Sequence, residues 1–159
     1  MNMVHNNQLI KSIILTLKNE LVMVPNAAVA EIMSVNDVSE VDGSPQWMLG
    51  KARWRGVEIP VISYEAAGGD SAQDVNINTQ VAVMYTVSDE TEKDKTYSYI
   101  GLAIHGVPHV STFSRGQVKT DEHAPVEHPM VAQKVRINGA AAGILDIYAI
   151  EEMLQQAAI

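Results

Sequence analysis

Short apolar runs rich in β-branched residues alternate along the chain with polar or glycine-containing breaks of a few residues. Two such runs separated by a polar pair are typical of a β-hairpin, and Asn138–Gly139 is the strongest two-residue signal of this kind. The break Ser88–Lys95 is longer and charged, and it predicts a solvated hairpin tip. The predicted hairpins pair residues 12–18 with 21–24, 79–87 with 97–107, and 131–137 with 140–145.

The pattern between these hairpins is less regular. Ala27–Met33 is interpreted as a strand with Val29, Glu31 and Met33 on one face, although its alanines also suit a helix. Val35–Val41 alternates apolar and polar residues, as a half-exposed strand does. Further predictions are a tight turn between two strands at Gly56, a short strand at 108–113, and loops at 66–73 and 117–128.

The C-terminal segment has a different period. Asp146 is a candidate N-cap for a helix over Ile147–Ala157, which is rich in good helix formers. Its predicted apolar face consists of Ile147, Ile150, Met153 and Leu154. About nine or ten short strands with one terminal helix predict an all-β barrel or two paired small barrels.

Composition narrows the class of protein. The 159 residues are 47% hydrophobic, enough for a real core, and the formal net charge is −8 with a pI of about 5.0. A nucleic-acid partner and an anionic membrane surface both require a positive field, so neither is expected. There is no cysteine, no run long enough to cross a membrane and no signal-peptide pattern at the start, which favours a cytoplasmic location.

The candidate chemistry is sparse. His123 and His128 lie in a polar segment with Asp121, Glu122 and Glu127, but nothing in the spacing makes these groups converge, so a solvated loop is favoured over a metal site. The chain has no nucleophile elbow, phosphate loop or dinucleotide-binding glycine pattern. We therefore predict a protein that is not an enzyme and has no cofactor or metal. A small-molecule or metal-binding β-barrel sensor is the alternative.

Arg53, Trp54 and Arg55 are the main candidates for binding. Arginine and tryptophan are enriched among interface hot spots, which favours a partner contact. Equally, Trp54 suits a core position, with the arginines paired to acids such as Glu31 or Glu58. The sequence leaves both interpretations open.

The segment Met48–Tyr64 resembles the central signature of CheW-like chemotaxis coupling proteins, G-x-x-N-L-R-G-x-x-x-P-V. Arg53 and Trp54 stand where Asn and Leu are common. Within the signature we interpret Gly50, Gly56 and Pro60 as structural turn positions. The matching positions are Gly50, Arg55, Gly56, Pro60 and Val61.

Three other segments resemble the family in the same order: Val24–Ile32, Tyr99–Val110 and Gly143–Leu154. In the second of them His105 replaces a frequent Asp. The segment SPQWMLG followed by RWRG resembles the sequences of accessory CheW-like proteins, of the ChpC and PilI type, in chemosensory systems that control type IV pili.

The resemblance implies a mainly β fold, with two small five-stranded SH3-like barrels and a C-terminal helix at about 147–157. One CheW-like domain would span residues 1–159, with an internal boundary near 75–80. It further implies a non-enzymatic adaptor that couples chemoreceptors to a CheA-type histidine kinase, in systems that control type IV pili and twitching motility. The protein would be cytoplasmic and associated with inner-membrane receptor arrays.

By the same resemblance, the partners are the chemoreceptor cytoplasmic tip, the regulatory domain of the kinase and other CheW-like proteins. Arg53 and Trp54 are candidates for a partner-specific interface. The positions that match the receptor-binding groove of the family are Val29, Glu31, Arg55, Val107 and Val110.

Overall fold

A computed structural model describes residues 9–35, 37–76, 78–88 and 97–157. The predicted loop over Ser88–Lys95 falls outside these ranges except for Ser88. Within these ranges the chain forms two sheets, two helices and one 3₁₀ turn, Asn26–Ala28. The strands are β1 (Ile10–Thr16), β2 (Leu21–Pro25), β3 (Val29–Ser34), β4 (Met48–Trp54), β5 (Val57–Ile62), β6 (Gln80–Tyr85), β7 (Tyr99–Ile104), β8 (His109–Phe113), β9 (Val118–Thr120), β10 (Val131–Ile137) and β11 (Ala140–Leu145), and the helices are α1 (Tyr64–Ala67) and α2 (Ile147–Gln156).

The first sheet has six strands in the order β8-β1-β2-β11-β10-β9. The predicted hairpins β1–β2 and β10–β11 are confirmed, and the two hairpins join through parallel pairing of β2 with β11. Asn138 (φ 48°) and Gly139 (φ 86°) both have positive φ, as a two-residue type I′ turn requires. The short strand β9 lies in a segment that was predicted to be a loop.

The second sheet has five strands in the order β3-β6-β7-β5-β4. It is built in the same way, from the hairpins β4–β5 and β6–β7, with β5 and β7 parallel. The chain changes sheet after β2 and again after β7. The internal boundary was predicted near 75–80. That stretch connects α1 to β6, and both of its flanking strands belong to the five-stranded sheet.

The core has three parts. A shared core lies between the sheets, contributed by both of them and by α2, and includes Leu15, Met84 and Ile150, all with 0% exposure. Each sheet also encloses a smaller core, one around Ile59 and Val83 and the other around Ile14 and Phe113. Because each curved sheet buries both of its faces, the prediction of a mainly β fold made of two small barrels with a terminal helix is confirmed.

A β-bulge in β3 alters the predicted arrangement of its side chains. Val29 pairs with Met84 of the shared core, whereas Glu31 pairs with Val83 of the five-stranded barrel, and the register shifts between them. One extra residue in a strand reverses the faces of the residues beyond it. Val29 and Glu31 therefore lie on opposite faces, not on one face as predicted.

Two further predictions are corrected. Within 35–41 the described residues form one isolated bridge, Ser39 with Lys51, instead of a strand. The small-residue loop begins with the short helix α1, capped by the Ser63 hydroxyl, which accepts from the Ala66 N–H. At the C-terminus the predicted cap is confirmed, because Asp146 accepts from the Ala149 N–H at 3.0 Å.

Candidate functional site

The β4–β5 turn holds an arginine in an unusual backbone conformation. Arg55 has φ 47° and Gly56 has φ 77°, so the pair forms a type I′ turn like that at Asn138–Gly139. Asn and Gly tolerate positive φ, whereas other residues adopt it at a cost of about 1–3 kcal/mol. The fold accepts this cost at Arg55, and such strain is concentrated at functional positions.

Arg55 belongs to a cluster with Glu31 and Trp54, which we call the charged cluster. The Trp54 Nε1–H donates to Glu31 Oε2 at 2.6 Å, and Arg55 Nη2 lies 3.7 Å from the same oxygen. The guanidinium also lies over the indole, 4.7 Å from its centroid, in cation–π geometry. The Arg55 side chain nevertheless stays 68% exposed. The contacts with Glu31 and Trp54 therefore hold its position while it remains accessible to a partner.

Trp54 and Arg53 differ from Arg55 in their surroundings. Trp54 is only 6% exposed and packs in the core of the five-stranded barrel, so the core interpretation of this residue is correct. Its ring can influence a partner only through the arginine that it supports. Arg53 is exposed and its guanidinium donates to the Gly56 carbonyl at 3.4 Å, which leaves it open to solvent beside the turn.

The aromatic packing continues from Trp54 along this end of the barrel. Tyr99 lies 4.7 Å from Trp54 between ring centroids, and Tyr85 lies 5.4 Å from Tyr99. Tyr85 (46% exposed) and Val57 remain open to solvent. The charged cluster is therefore bordered by apolar and aromatic surface.

Two of the three predicted valines, Val29 and Val110, lie on the side of the shared core, and Val107 lies in the connection from β7 to β8. Val29 packs against that core, and Val110 pairs directly with Ile13, whose side chain belongs to it. Directly paired residues share a face of the sheet, so Val110 lies on the side of the shared core. Val107 is 70% and Val110 56% exposed. We call Val29, Val107 and Val110 the seam, because Val29 and Val107 follow the two points where the chain changes sheet and Val110 lies in the strand after the second of them.

The predicted structural positions have separate roles. Gly56 is a turn residue, as predicted. Gly50 lies inside β4 at a β-bulge, beside the antiparallel bridge of Ser39 with Lys51, so it is a strand position and not the turn that was predicted. Pro60 is buried in β5, and pairing with β7 begins at the next residue, Val61.

The fold gives different surroundings to the polar side chains of the histidine-bearing segment, residues 121–128. Asp121 pairs with Arg136 at 3.1 Å, which holds the pKa of its carboxyl below the usual value, and His123 is exposed. His128 is half-buried instead of lying in a solvated loop. In the part of the chain that the structure describes, no three acidic or histidine side chains are arranged to hold a metal ion.

His128 joins the link before β10 to α1. Its ring stacks on Tyr64, with centroids 3.7 Å apart, and its Nε2 lies 2.8 Å from the Tyr64 carbonyl oxygen. Because the Met130 N–H donates to Nδ1 at 3.0 Å, the neutral ring must carry its proton on Nε2. Burial lowers the pKa of His128, partly opposed by the hydrogen bond to Tyr64.

This geometry predicts a pH-dependent stability. A lowered folded pKa means that the unfolded chain binds the proton first, so the contribution of His128 is complete above about pH 6.5 and is lost as the pH falls below it. We expect His128→Phe, which keeps the stacking, to lower the melting temperature at neutral pH and to remove this part of its pH dependence. The melting temperatures of the wild-type and variant proteins, measured between about pH 5.5 and 7.5, test this expectation. A slope unchanged in His128→Phe would contradict the assignment, and the exposed His123→Gln is the matched control.

Sequence reasoning missed two buried carboxylates. Glu151 is 7% exposed and accepts from the backbone N–H groups of Val87 and Ser88 and from the Ser88 hydroxyl. Its position on the helical face of Ile147, Ile150 and Leu154 was an available signal. Glu65 is 6% exposed, and no local pattern marks it.

Two interleaved small barrels on a shared core, with a charged cluster and a valine seam, define a two-barrel β protein with exposed candidate binding surfaces. The CheW-like domain family model matches residues 11–155. The chain belongs to the CheW-like domain family, whose proteins are non-enzymatic scaffolds. Membership supports a role as a chemotaxis coupling scaffold.

The fold is also found among solved structures. The chain is similar to the scaffolding protein TtCheW from Thermoanaerobacter tengcongensis, with a TM-score of 0.70 and 15% sequence identity. The similarity covers 93% of this chain and 91% of that one. A search of curated proteins finds no significant match. No helix among the described residues is long and apolar enough to span a membrane.

Proposed function

We propose that this chain is a signalling adaptor that couples chemoreceptor cytoplasmic tips to the regulatory domain of a CheA-type histidine kinase. Family membership supports this role, and the resemblance of the SPQWMLG and RWRG segments to accessory proteins of type IV pilus systems supports twitching motility as the output. The protein then works in the cytoplasm, at receptor arrays on the inner membrane. Other CheW-like proteins are further partners.

The observation that carries the proposal is the exposed seam beside the shared core. Val107 and Val110 present apolar side chains to solvent at the passage between the barrels. An amphipathic helix can bury exposed apolar side chains of this kind by laying its apolar face against them. A receptor tip is helical by the family resemblance, so it is the occupant that suits this surface.

Arg55 supplies the polar part of the same proposal. Arg55 has the strained backbone of the β4–β5 turn, and its guanidinium is exposed. It is a cation in a chain whose net charge is −8. An acidic residue on the receptor helix would pair with it in a charge-assisted hydrogen bond. Arg53, exposed at the end of β4 beside the same turn, is proposed as a contact that distinguishes partners, and Trp54 acts by supporting Arg55.

The adaptor role is tested by binding. We expect the purified full chain to bind both a cognate receptor-tip fragment and the cognate kinase regulatory domain in isothermal titration calorimetry. Val110→Lys places a charge in the seam and is expected to abolish the first interaction while leaving thermal unfolding unchanged. Val126→Lys, at an exposed valine before β10, is the matched control. Binding of neither partner by the wild-type chain would exclude the role.

A further inference from the structure

Residues 37–41, which we call the strap, run beside the outer edge of β4. Ser39 in the strap and Lys51 in β4 exchange both backbone hydrogen bonds, each 2.8 Å long, in an antiparallel bridge. Val38, the residue before the bridge, packs against the core of the five-stranded barrel. The strap therefore has the register and the inward side chain of a strand, although it forms a single isolated bridge.

The register of this bridge determines which residues would pair next. Hydrogen-bonded pairs recur at every second residue of an antiparallel ladder, so the next pair towards the β4–β5 turn is Asp37 with Arg53. Arg53 lies two residues after Lys51, so its backbone N–H and C=O point to the same edge of β4. Both side chains would lie on one face, where an aspartate directly opposite an arginine is a favourable cross-strand pair.

The ladder cannot grow in the other direction. The next pair there would be Val41 with Leu49, and Leu49 is the extra residue of the β-bulge in β4, which disrupts the register. Gly50 also holds the strap close to β4, since the Ser39 carbonyl oxygen lies 2.3 Å from the position that a Cβ would occupy. Any extension of the bridge therefore runs from Ser39 towards the β4–β5 turn.

The pair of Asp37 with Arg53 is open in this structure. Both residues are exposed, and they line an open groove of about 460 Å³ that also extends along residues 33–35. The Arg53 guanidinium instead donates to the Gly56 carbonyl at 3.4 Å, a long bond at the surface. Closure would replace that bond by two backbone hydrogen bonds and an ion pair, and it would cost the conformational freedom of the strap.

We propose that the strap closes on β4 by one further pair, Asp37 with Arg53, and that closure withdraws the Arg53 guanidinium from partners. The second part rests on the proposed function of Arg53 as a contact that distinguishes partners. In the closed form the guanidinium lies against the Asp37 carboxylate, so an acidic group of a partner must displace an acid of the chain itself. A partner that pairs with Arg53 selects the open form, and its affinity is reduced by the fraction that is closed.

The first test detects closure and needs no partner. The chain has no cysteine, so Asp37→Cys combined with Arg53→Cys places two thiols at the proposed pair, whose Cα atoms would be about 5.5 Å apart, a distance that suits a disulfide. The control combines Glu40→Cys with Arg53→Cys. The register places Glu40 opposite Gly50, about 10 Å along the strand from Arg53, too far for a disulfide.

Both double variants are incubated in a glutathione redox buffer, and intramolecular disulfides are measured by mass spectrometry. We expect the variant with thiols at positions 37 and 53 to form the disulfide while the control keeps its free thiols. The melting temperatures of the reduced proteins show that both are folded. Equal oxidation of the two variants overturns closure of the strap.

The second test measures the effect of closure on binding. The receptor tip and the kinase regulatory domain are titrated by calorimetry, and Arg53→Gln identifies the partner that pairs with Arg53. For that partner we expect Asp37→Asn to bind about threefold more tightly than the wild type, which is the size of an exposed charge pair. Glu40→Gln removes the same charge from the strap and should leave the affinity unchanged.

A double-mutant cycle assigns the gain in affinity to Arg53. In the Arg53→Gln background, Asp37→Asn should have no effect, because the guanidinium that it releases is gone. An equal gain with and without Arg53, or no gain in the wild-type background, overturns the withdrawal of the arginine. If Arg53→Gln alters the affinity of neither partner, the proposed function of Arg53 fails, and the disulfide experiment by itself decides whether the strap closes.

Discussion

Replacing Arg55 by glutamate is expected to weaken binding of the receptor tip roughly thirtyfold, which corresponds to about 2 kcal/mol. The substitution removes the exposed guanidinium and places a second carboxylate beside Glu31. In the wild-type protein, Glu31 Oε2 lies 3.7 Å from Arg55 Nη2. A partner acid that pairs with Arg55 would meet repulsion instead. Calorimetric titration with the receptor tip measures the loss.

Two control variants separate binding from folding at this position. Arg55→Asn removes the guanidinium but suits the positive φ, as Asn138 does in the equivalent turn, so its fold is expected to be intact and its receptor affinity reduced. Arg115→Glu makes the same charge change on an exposed turn of the six-stranded sheet and is expected to bind normally. A folded Arg55→Glu protein with wild-type affinity would contradict the proposed contact. Unfolding of both Arg55 variants would assign the arginine to structural support.

Gly50→Ala is expected to cause the largest loss of stability, about 3 kcal/mol in the free energy of unfolding. A Cβ at Gly50 would lie 2.3 Å from the Ser39 carbonyl oxygen and 2.7 Å from Val38 Cγ1, and the φ of 147° is strained for any side chain. The backbone of Ser39 cannot retreat freely, because it exchanges two hydrogen bonds with Lys51, each 2.8 Å long.

The measurement is thermal unfolding of paired variants. We expect Gly50→Ala to lower the melting temperature by about 10 °C. The matched substitution Gly116→Ala meets no atom within 4 Å and has no positive φ, so it should change the melting temperature little. Equal melting temperatures for the two variants would show that β4 and the 38–39 segment can separate at little cost.

The parts of the fold that were predicted correctly depend on neighbours in sequence. The Asn138–Gly139 turn requires two residues that tolerate positive φ, and the cap at Asp146 requires an acceptor three residues before an N–H. Apolar alternation is likewise a local property, so the hairpins β1–β2 and β10–β11 were identified. Recognition of the family depended on the order of several such motifs.

The candidate site was predicted in part. Arg55 and Glu31 were named, and the structure brings them together through Trp54. Their separation from Val29 was not foreseen, because a single-residue bulge in β3 reverses the side-chain direction and leaves no mark in the alternation. The role of Gly50 was misjudged for a similar reason, since the close approach of the Ser39 backbone is a contact with another segment of the chain.

By itself, then, the sequence determined the class of protein: local turn, cap and strand preferences, an acidic cysteine-free composition, and the ordered motifs of a CheW-like domain. Only the tertiary structure decided how the two sheets interleave, and which polar side chains are buried. Glu65 meets the Lys18 backbone across 47 positions, and Glu151 meets Ser88 across 63. A buried carboxylate needs donors, and here distant segments supply them, so the helical position of Glu151 could indicate its burial but no local pattern could name its partners.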